Sequence, residues 1–288
     1  MALRALTWNL FHGRDFPPDP ALVTRRSRLL RVTERNATHL QVNRYLLGEF
    51  AAVLAGADWD VALLQECPPR WSAPLARACG AQPHLVLTSR NSFAALRAAV
   101  ARISPDLIAS NEGGSNLTLV RPAAGAIVAR DEITVQPGPV PERRAMALTR
   151  LRRTDATVPN ELSVANLHLS AGTALRPTAE REVLAAAGRA TAWAGETPLV
   201  FGGDLNLRPA ETGVYERLAE QFGLTGTTGP DALDHLLVRG LDVIEPPSAW
   251  PPARREVRAG GLAIRLSDHA PVEAAFEAAG LSPSNAAE

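Results

Sequence analysis

Short apolar runs closed by turn residues dominate this chain, and between them lie stretches where apolar side chains recur at helical spacing. The short runs predict strands at Leu3–Asn9, Val61–Glu66, Asn116–Arg121, Ala126–Val135, Arg144–Arg153, Glu161–Leu169, Pro198–Phe201, Ala232–Val238 and Ala270–Phe276. Spacing near 3.6 predicts helices over about Thr38–Ala55, Arg70–Cys79, Ser92–Arg102, Thr178–Ala194 and Glu211–Gln221. Pro-rich breaks at Phe16–Pro20, Pro137–Pro141 and Glu245–Pro252 read as loops. Several strands follow one another in mid-chain, with helices before and after them. That order predicts mixed or antiparallel sheets covered by helices, not an alternating doubly wound sheet. No linker divides the chain, so residues 1–280 read as one domain and residues 281–288 as a small, polar, frayed tail.

The predicted strands end alike. Leu6-Thr7-Trp8 runs into Asn9, and Val61-Ala62-Leu63-Leu64-Gln65 into Glu66. Ser163-Val164-Ala165 leads to Asn166 and His168. Leu199-Val200-Phe201-Gly202-Gly203 leads to Asp204, with Asn206 two residues on. Asp234 and His235 lie in Ala232–Val238, and Ser267-Asp268-His269 precedes the last strand. Polar groups at strand ends gather on one rim of a sheet, where a rigid scaffold carries variable loops. Each piece also has a plain reading: Asn9 as an Asx turn, Gly202-Gly203-Asp204 as an ordinary turn, His168 as a satisfied core histidine. If they converge, Glu66, Asp204, Asp234 and Asp268 bring four carboxylates together. Such a cluster repels itself unless a cation neutralises it. Carboxylate and amide oxygens without a cysteine pattern suit Mg²⁺ or Mn²⁺ better than zinc.

Composition narrows the chemistry further. All 30 basic residues among the 288 are arginine, balanced by 30 Asp and Glu. The absence of lysine excludes a P-loop, a protein-kinase site and Schiff-base chemistry. Zero net charge speaks against a non-specific nucleic-acid binder. Cys67 and Cys79 fit no metal pattern and read as buried free thiols. The chain opens directly into its first strand, without the apolar region of a signal peptide, and no apolar run reaches the ~20 residues of a membrane span. A cytoplasmic protein is the expectation.

Taken in order, Thr7-Trp8-Asn9, Leu64-Gln65-Glu66, Asn166-Leu167-His168-Leu169, Gly203-Asp204-Leu205-Asn206, Leu233-Asp234-His235 and Ser267-Asp268-His269 resemble the motifs of the endonuclease/exonuclease/phosphatase superfamily. The resemblance runs from Thr7 to His269, and its most specific parts are Gly-Asp-Leu-Asn and Ser-Asp-His. It implies an α+β fold, a four-layer αββα sandwich of two mixed, mainly antiparallel sheets flanked by helices. It also implies metal-dependent cleavage of a phosphodiester or phosphomonoester. Carried over, Glu66 is the main metal ligand, helped by Asn9 and Asp268. Asp204 orients or deprotonates the attacking water, and Asn206 holds that water or a phosphate oxygen. Asp234 steers His269, which stabilises charge on phosphorus, and His168 is a second donor or acid. Arg144, or its neighbour Arg143, stands near the phosphate.

The sequence departs from the pattern where some members carry a second acid. Phe11 stands there, followed by His12, which speaks against a second metal. Asn116, after Gly113-Gly114-Ser115, either touches phosphate or belongs to a strand start. Ser92–Gly114 is the most individual stretch and reads as a helix plus a Gly-rich loop beside the substrate pocket. Arg25, Arg26, Arg28, Arg31 and Arg35 are a solvated helix face or a grip for phosphates. Aromatics are 5% of the chain and not interleaved with arginine, so no base-stacking platform is evident. The expected partner is a phosphate ester: a small molecule, a lipid headgroup or nucleic acid. A DNA endonuclease of the same superfamily is the alternative enzyme, and a non-catalytic binding module the alternative of another class.

Overall fold

The computed structural model describes residues 2–89, 91–108, 113–138, 142–153 and 160–279. The expected tail at 281–288 and part of the Pro137–Pro141 loop lie outside these. In chain order the elements are β1 (Leu3–Asn9), α1 (Arg25–Leu30), β2 (Glu34–Arg35), β3 (Leu40–Gln41), α2 (Leu47–Gly56), β4 (Val61–Gln65), α3 (Ser72–Cys79) and β5 (Gln82–Leu87). They continue with α4 (Ala94–Ile103), α5 (Pro105–Ile108), β6 (Ser115–Val120), β7 (Ala126–Gln136), β8 (Arg144–Arg152), β9 (Glu161–His168), α6 (Arg176–Ala194), β10 (Leu199–Asp204) and α7 (Val214–Phe222). The last are β11 (Asp234–Arg239), β12 (Leu241–Ala249), β13 (Glu256–Ala259), β14 (Leu262–Arg265) and β15 (Val272–Ala278).

Two sheets form the centre, one ordered β12-β15-β1-β4-β6-β5 and the other β11-β10-β9-β8-β7. β1 and β4 run parallel, as do β9 and β10, while every other neighbouring pair in the two sheets is antiparallel. β1 and β15 pair from Leu3 against Phe276 to Thr7 against Val272. Period-two alternation sorts each strand into an inner and an outer face. On one outer face Leu6, Trp8 and Leu64 pack against Phe50, Leu54 and Leu75 of α2 and α3. On the other, Leu167 and Phe201 pack against Val183, Ala187 and Leu218 of α6 and α7. Leu3, Leu63, Val164, Val200 and Phe276 fill the space between the sheets. The result is the expected αββα sandwich, four layers separated by three apolar seams.

Toward one edge of the sandwich the inner positions change from apolar to polar. Leu3 and Ala5 give way to Thr7 and Asn9, Val61 and Leu63 to Gln65, and Leu162 and Val164 to Asn166 and His168. These buried groups tie the sheets together. Gln65 Nε2 donates to Asn166 Oδ1 at 2.8 Å and to Thr7 Oγ1 at 3.1 Å. Asn116 Nδ2 donates to the Ala145 carbonyl at 2.7 Å and is fully buried, so it is part of this seam.

Several predicted boundaries move, each for a visible reason. The strand predicted to end at Phe201 continues to Asp204, and Gly202-Gly203 is strand, not a turn. A Cβ on Gly203 would fall 1.9 Å from the Leu167 carbonyl oxygen, and its φ is +136°, so only glycine lets β10 run on beside β9. The helix predicted from Thr38 begins at Leu47. Before it, Asp15 Oδ2 accepts from the Val42 N–H at 3.0 Å, and Asn43 Nδ2 donates to the Ser27 and Arg28 carbonyls; these bonds hold the segment extended. β5 was not predicted, and the Glu245–Pro252 loop is largely strand β12. Both are edge strands that contain proline, which an edge tolerates and which masks the strand pattern. Cys67 and Cys79 are buried and unbridged, as expected.

Candidate active site

Each site residue sits where a strand of the inner layer runs out. In the parallel pairs both carboxyl ends reach the same edge. β1 and β4 therefore present Asn9 and Glu66 opposite His168 of β9 and Asp204 of β10. β11 begins there with Asp234, paired with Asp204, and the Ser267–His269 loop enters from β14. Backbone strain collects at the same place. Among the described residues seven non-glycine positions have positive φ, and Phe11, His12, Glu66, Asn206 and Ser267 are five of them. Such conformations persist only where the surroundings over-determine them.

The hydrogen bonds show how the groups are held. Asn9 Nδ2 donates to Asp204 Oδ2 at 2.9 Å, while Asn9 Oδ1 accepts from the Phe11 N–H at 2.9 Å. Asn9 thus forms an Asx turn and reaches Asp204 at once, and its Oδ1 keeps one lone pair beyond these bonds. The Asn206 N–H donates to Asp204 Oδ1 at 3.1 Å, and its side-chain amide to the Leu169 carbonyl at 3.1 Å. His269 Nδ1 bonds Asp234 Oδ2 at 2.7 Å, leaving Nε2 at 3.8 Å from Asp204 Oδ2. Arg144 donates to His168 Nδ1 at 3.3 Å, so the proton of this neutral ring is on Nε2, 3.5 Å from Asp204 and 3.9 Å from Glu66. Arg143 instead bonds the Leu87 and Thr88 carbonyls and Thr134, which leaves Arg144 as the arginine at the site. His12 Nε2 lies 3.2 Å from Glu66 Oε2, and its Nδ1 meets the Gly113 carbonyl at 3.2 Å. The Glu66 side chain keeps 22% of its surface exposed, and Asp268 is exposed beside it.

Burial and neighbouring charge then set the protonation. Burial raises the Asp204 carboxyl well above the usual carboxylate range; His269 opposes this, and Asp234 and Glu66 add to it. Burial works against charge on His269, but Asp204 and Asp234 outweigh it and push the imidazolium up to about 11. Burial, then the charges of Arg144 and His269, hold His168 far below the imidazole range. The site therefore carries one cationic and one neutral histidine on either side of a buried acid.

The sequence motifs did not disclose every supporting residue. Arg255 NH1 donates to the Leu266, Ser267 and His269 carbonyls, the last two at 2.7 Å, and so clamps the loop that carries Asp268 and His269. Trp8 Nε1 donates to the His269 carbonyl at 3.1 Å. Ser267 Oγ donates to the Asn9 carbonyl at 2.6 Å. His235, within the same motif as Asp234, faces away from the site. Its ring is fully buried and bonds the Thr228 N–H and the Leu207 and Ala232 carbonyls.

The residues fit a divalent cation. Ligand atoms of Asp204, Asp234 and His269 lie within 4.8 Å of one another, with the charged His269 as counter-ion to the two acids, and Asp234 Oδ1 is buried without a hydrogen-bond partner. Glu66 and Asp268 add two carboxylates on the solvent side. This oxygen-rich set matches a hard cation.

The sequence profile of the Endonuclease/Exonuclease/phosphatase family matches residues 6–269, and the chain belongs to that family. No curated protein matches it in sequence. Among solved structures, a family member from Bacteroides thetaiotaomicron superposes with a TM-score of 0.63 at 15% identity, covering 96% of this chain and 97% of that one. A mannosyl-6-phosphatase from the same organism gives 0.63 at 14% identity, covering 95% and 99%. The human Nocturnin catalytic domain, solved with a bound sulfate anion, gives 0.63 at 15% identity, covering 96% and 94%. At these identities the likeness is one of fold.

Proposed function

We propose that the protein is a metal-dependent phosphoesterase that hydrolyses a phosphodiester or phosphomonoester with an activated water. The observation that carries this reading is the 2.7 Å Asp234–His269 bond beside the buried carboxylate of Asp204. Asp234 orients and charges His269, whose Nε2–H becomes a charged donor to phosphate oxygen as negative charge builds there. Asp204, held by the Asn9 amide and the Asn206 N–H, orients a water and accepts its proton. His168, with Nδ1 fixed by Arg144, offers Nε2–H as a second, neutral donor. Glu66, helped by Asp268 and Asn9, would hold Mg²⁺ or Mn²⁺. When bound, the ion neutralises phosphate charge as a Lewis acid. Mg²⁺ keeps several waters, which suits the partly exposed Glu66 side of the cleft.

The balanced charge and sparse aromatics favour a small molecule or lipid headgroup over DNA as substrate. The presence of every central acid and of His168 and His269 speaks against a binding module that has lost its chemistry. Turnover of a bis-aryl phosphodiester with and without Mn²⁺ tests the reading. Hydrolysis only with metal is expected, and no turnover with any divalent ion overturns it. A panel of DNA, inositol phosphates, sphingomyelin and a sugar phosphate then sorts the substrate class. The sugar phosphate enters because one structural neighbour is a mannosyl-6-phosphatase.

A further inference from the structure

The three short helices α1, α4 and α5 bury the wrong residues. α1 buries Ser27 and leaves Leu29 and Leu30 64% and 69% exposed. On α4, Leu96, Val100 and Ile103 recur at three- and four-residue spacing, the stripe a helix normally turns to a core, with Phe93 just before the helix and Leu107 on α5. Here Phe93, Leu96, Ile103 and Leu107 face solvent. Together with the two leucines of α1 they are the six most exposed large apolar side chains among the described residues. Exposed apolar side chains concentrated on adjoining helices mark an interaction surface.

The helices are held as one unit. Asn43 Nδ2 donates to the Ser27 and Arg28 carbonyls and to Ser104 Oγ, and Asn43 Oδ1 accepts from the Asp106 N–H at 3.0 Å. Arg25, Arg28, Leu29, Asp106 and Leu107 line a cavity of about 160 Å³ between α1 and α5. The charge is one-sided. Residues 23–35 and 91–108 hold seven arginines and two acids, in a chain of zero net charge. Both acids are engaged: Asp106 with Gln41 and Arg14, Glu34 with Thr24.

We infer that α1, α4 and α5 form a docking surface for an anionic lipid bilayer. Exposed apolar anchors among arginines are what the boundary between headgroups and acyl chains accepts. A second copy of the chain fits worse, because a two-fold interface would set these arginines against themselves. Nucleic acid fits worse, because the anchors are aliphatic apart from Phe93. The surface adjoins the cleft. Arg14 pairs with Asp106 at 3.8 Å and lies close enough to Glu66 and Asp268 to feel their charge. Docking therefore brings the cleft to the headgroups, so that, on the phosphoesterase reading above, the substrate is the phosphoester of a membrane lipid.

The test is co-sedimentation of the full chain with phosphatidylcholine vesicles, with and without phosphatidylglycerol, beside a mixed-sequence DNA duplex. Wild type should pellet with the anionic vesicles and stay in solution with the neutral ones. Arg25→Gln with Arg28→Gln should weaken binding about fivefold for each arginine lost. Leu96→Asp with Ile103→Asp should weaken it about tenfold or more. Both pairs lie on exposed positions and should melt like wild type and turn over a soluble phosphodiester at its rate. Glu66→Gln should bind vesicles as wild type does, which separates docking from catalysis. Equal binding to both vesicle types overturns the inference. So do variants that bind undiminished, tighter binding to DNA, or a solution dimer broken by the Leu96/Ile103 pair.

Discussion

The two sheets supply unlike halves to one cleft. The half built by β1, β4 and the Ser267–His269 loop is open to water: Glu66 is partly exposed and Asp268 lies at the rim. The half built by β9, β10 and β11 is closed: the Asp204, His168 and Asp234 side chains are 1%, 8% and 9% exposed. On the proposed reading, Glu66 and Asp268 of the open half would hold the cation. The closed half is shielded from solvent, so its protons are governed by the neighbouring charges and hydrogen bonds. On the proposed reading, depth alone would divide metal chemistry from proton chemistry in one cleft.

The largest effects should come from testing that division directly. Glu66→Gln keeps the shape of the open half but removes its charge. It should abolish turnover and the thermal stabilisation by Mn²⁺, which for wild type at about 100 times the dissociation constant is roughly 2.7 kcal/mol. Asp234→Asn strikes the closed half. Turnover should fall by about 10²–10⁴-fold while the Mn²⁺-induced melting shift survives. A melting series on both variants reads the outcome. If Asp234→Asn loses the shift and Glu66→Gln keeps it, the ion belongs to the Asp204–Asp234–His269 group and the two halves exchange roles.

A smaller effect should follow from the hinge between the halves. Arg255→Met frees the loop carbonyls that Arg255 holds. Misplacing His269 by an ångström should cost kcat up to about 10²-fold, with the metal-induced shift intact. A change in KM alone would mean that Arg255 touches substrate and does not position the loop.

The smallest effect concerns the seam away from the chemistry. His84 Nδ1 meets Thr149 Oγ1 at 2.8 Å across the sheets, and burial, with Arg130, lowers its pKa to about 4. The folded state therefore binds this proton less readily than the unfolded chain. The stabilisation is complete above pH ~6.5 and disappears as pH falls toward the folded value. The melting temperature should decline over that interval, and His84→Gln should flatten the decline. An unchanged slope would show that His84 is not the group responsible.

Much of this arrangement is legible in the residues. The inner positions of β1, β4 and β9 change from Leu, Ala and Val to Thr, Asn, Gln and His within a single strand. That change marks both the buried face and the edge where the site lies. The sequence also shows Asp204 at the end of one apolar run and Asp234 within another. It cannot show that they meet, because the Asp204–Asp234 pairing depends on β10 and β11 being antiparallel neighbours. Arg255 is illegible for another reason. It follows Pro251-Pro252 in a segment with no periodicity, and a buried arginine that bonds only carbonyls leaves no pattern in neighbouring residues. The proline-bearing edges β5 and β12 were hidden because the signals that blunt an edge are the signals that end a strand.

The pairing of β1 with β15 bears on how the molecule can be re-engineered. Leu3 lies against Phe276 at one end of that pair, and Asn9 stands at the other end, six residues and ~20 Å away. Chain joined at Leu3 or beyond Phe276 therefore leaves from the side opposite the cleft. A short bridge between these points would allow circular permutation, with new termini opened in a loop elsewhere. The same geometry lets a fused fluorophore or capture tag report on the protein without standing in the path of substrate.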